Sequence, residues 1–127
     1  MKSLILTLTL SLASLVQAAD DPSIKGKTRE GVQAAMQHHI GQNTLEDRYV
    51  IFDGQTGKLN RLKFAKLHKG IVKKGDFYVS CADFLDGKGN KYDVDFLVAP
   101  KNDQFLVLQA LVHSVNGNKR KYHLENN

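Results

Sequence analysis

Residues 77–98 read "FYVSCADFLDGKGNKYDVDFLV", and the folding of this stretch fixes the placement of its neighbours. Two runs rich in aromatic and β-branched residues flank "DGKGN", whose glycines, Asp86 and Asn90 are turn chemistry of hairpin length. Side chains alternate across a strand, so the turn sets the faces. With "DGKGN" as the connection, Ala82 lies opposite Val94 and Ser80 opposite Phe96, while Asp83 faces Asp93 and Cys81 faces Asp95. One side of the hairpin is then apolar, with Tyr78, Phe84, Tyr92, Val94, Phe96 and Val98. The other carries Phe77, Val79 and Leu97 at one end and three carboxylates and a thiol at the other.

The same pattern continues on both sides. "RYVIFD", "KLNRLKFAKLH", "QFLVLQALVHSV" and "KRKYHL" join "DFYVSCADFL" and "KYDVDFLVA" as six candidate strands. They are separated by "GQTG", "KGIVKKG", "DGKGN", "PKND" and "NGN", all too short for crossovers, which predicts an antiparallel meander. A turn at "PKND" places Val94 near Gln109 and Asp93 near Ala110, puts Phe105, Val107 and Leu111 on the apolar face, and puts Leu106, Leu108 and Ala110 on the other. A two-residue turn at Asn116-Gly117 then brings His123 beside Ala110. The resulting transverse row reads Asp83, Asp93, Ala110, His123.

One segment has helical periodicity. In "KTREGVQAAMQHHIGQN", Val32, Ala35, Met36, His39 and Ile40 recur at the spacing of a single apolar stripe. Thr28 is the expected N-cap, and Gly41 or Asn43 the stop. The fold class expected is therefore α+β, with one N-terminal helix packed on a bent antiparallel meander of about five to six strands; the alternative is a small antiparallel β-barrel with an N-terminal helix. At the level of element order the chain resembles the cystatin-like and nuclear transport factor 2-like superfamily. The D-x-x-T-G and Y-D-V-D segments are also similar to those of small exported bacterial proteins of unassigned function. These resemblances imply an α+β roll and bring no catalytic motif, because such folds host enzymes, inhibitors and binding modules alike.

The first residues, "MKSLILTLTLSLASLVQAADDPS", combine Lys2, an apolar and hydroxyl-rich run from Leu4 to Val16, and small residues at Ala18 and Ala19. This is the pattern of a cleaved bacterial signal peptide over residues 1–19, and the apolar run is short of the roughly 18 to 20 residues of a spanning helix, so no stable membrane anchor is expected. Residues 20–27 form a flexible lead-in and residues 28–127 a single domain. The expected address is periplasmic or secreted.

Composition narrows the function classes. The 127-residue chain has a formal charge of +5, spread along its length, and no nucleic-acid-binding motif, so nucleic acid is not an expected partner. Cys81 is the single cysteine; no internal disulfide is available, and its setting suits a small buried hydrophobe.

Asp83, Asp93, Asp95 and His123 are the binding candidates. Like charges opposite each other on a sheet are destabilising unless solvated, paired or bound to a cation. Three uses follow: a solvated rim where the sheet leaves the core, a cation site with oxygen ligands, or a general acid/base pair of Asp93 or Asp95 with His123 or His113. His38 and His39 diverge around the helix, His68 and His113 stand singly, and there is no spaced His or Cys-His ligand set, so no metal or cofactor is assigned. "DGQTGK" lacks phosphate-loop spacing, and no G-x-S-x-G elbow supports Ser80 or Ser114 as a nucleophile. The expectation is a non-enzymatic binding or interaction module with an unknown protein or small ligand of the cell envelope as partner, a homodimer through a sheet edge being possible; the alternative is a small hydrolase or isomerase using Asp93, Asp95 and His123.

Overall fold

A computed structural model describes residues 19–122 and contains one helix and one open antiparallel sheet of seven strands in sequential order. Helix α1 spans Gly26–Gln42; the strands are β1 Thr44–Leu45, β2 Arg48–Asp53, β3 Lys58–Lys74, β4 Phe77–Leu85, β5 Lys91–Lys101, β6 Gln104–Val115 and β7 Asn118–Lys119. The α+β class and the meander follow the sequence expectation, but with more strands. The additional pair arises because Glu46 and Asp47 both adopt positive φ and turn Thr44–Leu45 back onto β2. The sheet stays open.

Helix α1 begins two residues before Thr28, with Lys25 at the N-cap position and no side-chain cap; it ends at Asn43, whose backbone N–H returns to the His39 and Ile40 carbonyls. Val32, Ala35, Met36 and Ile40 are buried against Phe84, Val94, Phe96 and Val98 of the sheet. Each of these side chains larger than alanine contributes roughly 1.5–3 kcal/mol by leaving water. Tyr49 of β2 stacks on Phe84 of β4 at 4.8 Å between ring centroids and also meets Phe96 of β5 at 6.3 Å. A ring on β2 reaches β4 and β5 only because the sheet curls over its own apolar face. Asp53, at the end of β2, closes the other side of the curl by accepting a 2.8 Å hydrogen bond from Arg120, just past β7.

The segment ahead of α1 is tied to the sheet. Asp21 N–H donates to the Ile71 carbonyl at 2.8 Å, Ile71 N–H donates to the Asp20 carboxylate at 3.0 Å, and Ile24 is buried. Arg29 donates to the Ile24, Lys69 and Asp21 carbonyls and to Asp20.

Three sequence expectations about strands are corrected. "KGIVKKG" is not a connection: Lys69–Lys74 continue β3, and the chain reverses at Gly75-Asp76. Among the described residues the last strand is β7, only Asn118–Lys119, following a two-residue turn at Asn116-Gly117 with φ 51° and 79°; Arg120, Lys121 and Tyr122 of "KRKYHL" are not strand, and its last two residues lie outside the described residues. The β4–β5 register is as expected from the hairpin, but the β5–β6 register is not. Asn102-Asp103 makes the turn, and extra residues in β6 between Val107 and Gln109 and between Val112 and Ser114 shift the ladder twice. Asp93 therefore lies opposite Ser114, not Ala110. Ala110 pairs with Phe96 and packs on the core, while Leu111 pairs with Asp95 on the other face, the reverse of the expected assignment.

Candidate functional site

Alternation along β4 and β5 places Cys81, Asp83, Asp93 and Asp95 on the sheet face turned away from α1, since their neighbours Ala82, Phe84, Val94 and Phe96 are fully buried on the helix side. Asp83 is directly opposite Asp93 and Cys81 directly opposite Asp95. A solvated rim does not describe this arrangement: Asp95 is buried, the side chain of Asp83 is 13 % exposed, and Cys81 and Asp93 are half-buried.

Irregularities in the outer strands complete the cluster. In β3, Leu67 pairs with Ala82 and Ile71 with Ser80, so His68, Lys69 and Gly70 together stand against Cys81 alone. In β6, His113 is the extra residue between Val112 and Ser114. Bulges re-aim side chains and terminate regular pairing. Here they turn two imidazoles onto the acidic face. The β3 bulge is held from several directions, by Arg29 on the Lys69 carbonyl, by the Ser80 hydroxyl donating to the Gly70 carbonyl at 2.7 Å, and by the lead-in on Ile71.

Two polar chains result. His68 Nδ1 lies 2.7 Å from Cys81 Sγ, while its Nε2 lies 2.8 Å from Asp83 Oδ1, and Lys91 Nζ stands 3.4 Å from Asp83 Oδ2. His113 Nδ1 lies 2.8 Å from Asp95 Oδ2; the Tyr122 hydroxyl donates to the same oxygen and stands 3.0 Å from Nδ1. Asp93 sits between them, and its Oδ1 is buried without a hydrogen-bond donor.

The electrostatics follow from burial among like charges. Burial raises the Cys81 pKa strongly, the Asp93, Asp95 and Asp83 charges raise it further, and a hydrogen bond with Asp93 adds to the shift, so the thiol stays protonated. Burial also raises the Asp93 pKa; the His68 and His113 rings pull against that shift and the Asp95 and Asp83 charges add to it. Cys81, His68 and Asp83 share the connectivity of a thiol, base and orienting carboxylate. A thiol whose anion is disfavoured by burial and by three carboxylates is nonetheless a poor nucleophile.

Of the sequence candidates, Asp83, Asp93 and Asp95 come together, whereas His123 lies outside the described residues. Of the proposed Asp/His pairings, Asp95 with His113 is within hydrogen-bond distance. The expectation that no Cys-His cluster exists is overturned by the His68–Cys81 contact. His68 was invisible to alternation because it sits in a bulge; Gly70, two residues on, reads as part of a turn in the sequence but stands inside β3, where a glycine is a usual mark of such an irregularity. Tyr122 had no signal, lying beyond the last regular strand. His39 bonds Tyr49 at 3.0 Å at the core edge, with its pKa lowered by burial and by His38, and takes no part in the cluster.

No family model, curated protein or solved structure matches this chain. Nothing in those comparisons bears on a cystatin-like or nuclear transport factor 2-like assignment. Among the described residues, no helix is long and apolar enough to cross a membrane.

Proposed function

We propose that this chain is an exported, non-enzymatic binding module of the periplasm or extracellular space, with a roll of cystatin-like or nuclear transport factor 2-like type, and that its ligand is held on the sheet face turned away from α1. The observation that carries the reading is a buried carboxylate oxygen, Asp93 Oδ1, left without a hydrogen-bond donor among like charges on a face braced by bulges and by Arg29. Buried acceptors are satisfied in all but a few positions of a folded protein, and unsatisfied ones cost about 1–3 kcal/mol each. A cationic or donor-rich ligand removes that cost. The export signal at residues 1–19 supports the address.

Thermal denaturation against metal ions, organic amines and envelope metabolites tests this reading. A stabilising ligand whose effect disappears in Asp83→Asn and Asp93→Asn supports it; no stabilisation by any class, or stabilisation indifferent to both substitutions, overturns it.

A second reading, a small hydrolase or isomerase, is favoured by the Asp95–His113 pair at 2.8 Å with Tyr122 on the same oxygen. It requires turnover by the purified protein of an ester or enolisable substrate, abolished by His113→Gln. Binding without turnover leaves the module reading in place.

A further inference from the structure

We propose that His68, Cys81 and Asp93 form a binding site for a divalent transition metal of the zinc class, with Asp83 as the carboxylate that orients His68; this deepens the reading of the acidic face as a ligand site and rests on it. One ring nitrogen of His68, Cys81 Sγ and one Asp93 oxygen lie within 4.8 Å of one another, and all three residues are half-buried, so an ion has access to them.

The donor set selects the metal. Thiolate and imidazole are borderline to soft ligands that suit zinc, cobalt or copper and are poor for calcium or magnesium, which take oxygen. The oxygen-only cation site suggested by Asp83, Asp93 and Asp95 in the sequence is thus replaced by a mixed sulfur, nitrogen and oxygen site. In a tetrahedral zinc centre the ligand atoms stand about 3.5 Å apart, given bonds of about 2.3 Å to sulfur and about 2.0–2.1 Å to nitrogen. The 2.7 Å Sγ–Nδ1 contact opens slightly to admit the ion while the Asp93 carboxylate closes on it. On binding, the Cys81 thiol gives up its proton to solvent, and the resulting thiolate, the carboxylate and a neutral imidazole balance a dication. Three protein ligands leave one position of a tetrahedral ion for water or an outside donor.

The surroundings match a metal site as well as the ligands do. A ligating histidine almost always presents its other ring nitrogen to a carboxylate or carbonyl, which fixes the tautomer and strengthens the bond to the metal. His68 does so: Nδ1 faces the Cys81 thiol, and Nε2 faces Asp83, itself beside Lys91. The His68 bulge is braced by Arg29 and Ser80, so the imidazole is positioned before any ligand arrives. Asp95, opposite Cys81 in the ladder, adds negative potential and is occupied by His113 and Tyr122. The orphaned Asp93 Oδ1 gains a partner in the ion.

Cobalt titration of the purified, chelator-treated protein tests the proposal. The expected result is one equivalent of Co2+ producing a thiolate-to-cobalt charge-transfer band and tetrahedral d–d absorption, both removed by competing Zn2+. Cys81→Ser should abolish the charge-transfer band, and Asp93→Asn should lower zinc affinity at least tenfold. Asp83→Asn should lower affinity by about tenfold to a hundredfold while keeping the band, as befits a residue acting through His68. Native circular dichroism of each variant before metal addition guards against misfolding. Absence of the thiolate band in folded wild-type protein, or zinc affinity unchanged by both Cys81→Ser and Asp93→Asn, overturns the metal site. If metals fail while an organic ligand stabilises the protein in an Asp93-dependent way, the metal proposal falls and the binding-module reading stands; if nothing binds, both fall.

Discussion

The two faces of the β4–β5 hairpin are built from one backbone and obey different rules. Toward α1, Ala82, Phe84, Val94, Phe96 and Val98 are fully buried in regular alternation, and neighbouring strands add apolar groups in register. Away from α1, Cys81, Asp83, Asp93 and Asp95 occupy the alternate positions, and their partners arrive through bulges that break register. The apolar face is specified by a repeating pattern and tolerates only the residue that fits. The polar face is specified by where that pattern fails. A fold of this kind places stability on one side and chemistry on the other.

The sharpest test of that division is a truncation on the apolar side. Phe96 is fully buried and meets both Tyr49 and His39. Phe96→Ala should cost about 3–5 kcal/mol in urea unfolding, from lost transfer energy and the cavity left behind. A cost well below that range would mean that α1 and the sheet do not share the tight core described above. A smaller effect is expected where the helix touches β6. A Cβ added at Gly31 would lie 2.4 Å from Phe105 Cδ2, so Gly31→Ala must displace the ring and should cost about 1–3 kcal/mol. If the substitution stabilises the helix instead, the close approach is not rigid.

Acid sensitivity probes the seam where the curled sheet closes. Burial acts to raise the Asp53 pKa, but the hydrogen bonds from Arg120 and the Gln55 N–H outweigh it and hold the carboxyl below its ordinary value of 3.8. A pKa depressed in the folded state gives stability that is full above the unfolded value and is lost as pH falls through the folded one. Urea midpoints should therefore decline from about pH 5 toward about pH 3, and Asp53→Asn should flatten that decline while lowering the midpoint at neutral pH. An unchanged slope would remove Asp53–Arg120 from the acid response.

How much of each face was legible in the sequence follows from the same contrast. Alternation in "FYVSCADFL" and "YDVDFLV" with a glycine-rich turn between them fixed the β4–β5 pairing and hence the Asp83–Asp93 and Cys81–Asp95 neighbours. Beyond that hairpin, each inserted residue reverses the parity on which the face assignment depends. The insertion at Leu108 exchanged Ala110 and Leu111 between faces, the insertion at His113 reversed the parity again, and the three-residue bulge at His68–Gly70 hid a metal-type ligand at the end of an apparent strand whose continuation resembled a turn. Alternation also carries no record of which distant backbone carbonyl a side chain such as Arg29 will hold. The acidic half of the cluster was therefore readable, and so was His113 as a partner offered for Asp95, whereas His68 was not.

The smallest effect is the most telling for the polar face. Asp93 lies opposite Asp83, near Asp95, with one oxygen buried and unpartnered, so in metal-stripped protein its charge opposes folding. Like charges directly opposed on a sheet cost roughly 0.2–1 kcal/mol. Asp93→Asn keeps the size, removes the charge and supplies an amide N–H facing the neighbouring carboxylates; it should leave the stripped protein as stable as the wild type or up to about 1 kcal/mol more stable in urea unfolding at neutral pH. A residue that weakens the fold it belongs to is held there by what it binds, so the same substitution should lower the stability gained on adding ligand. A clear loss of stability in the stripped Asp93→Asn variant would instead make Asp93 a structural carboxylate and would move the polar face into the same category as the apolar one.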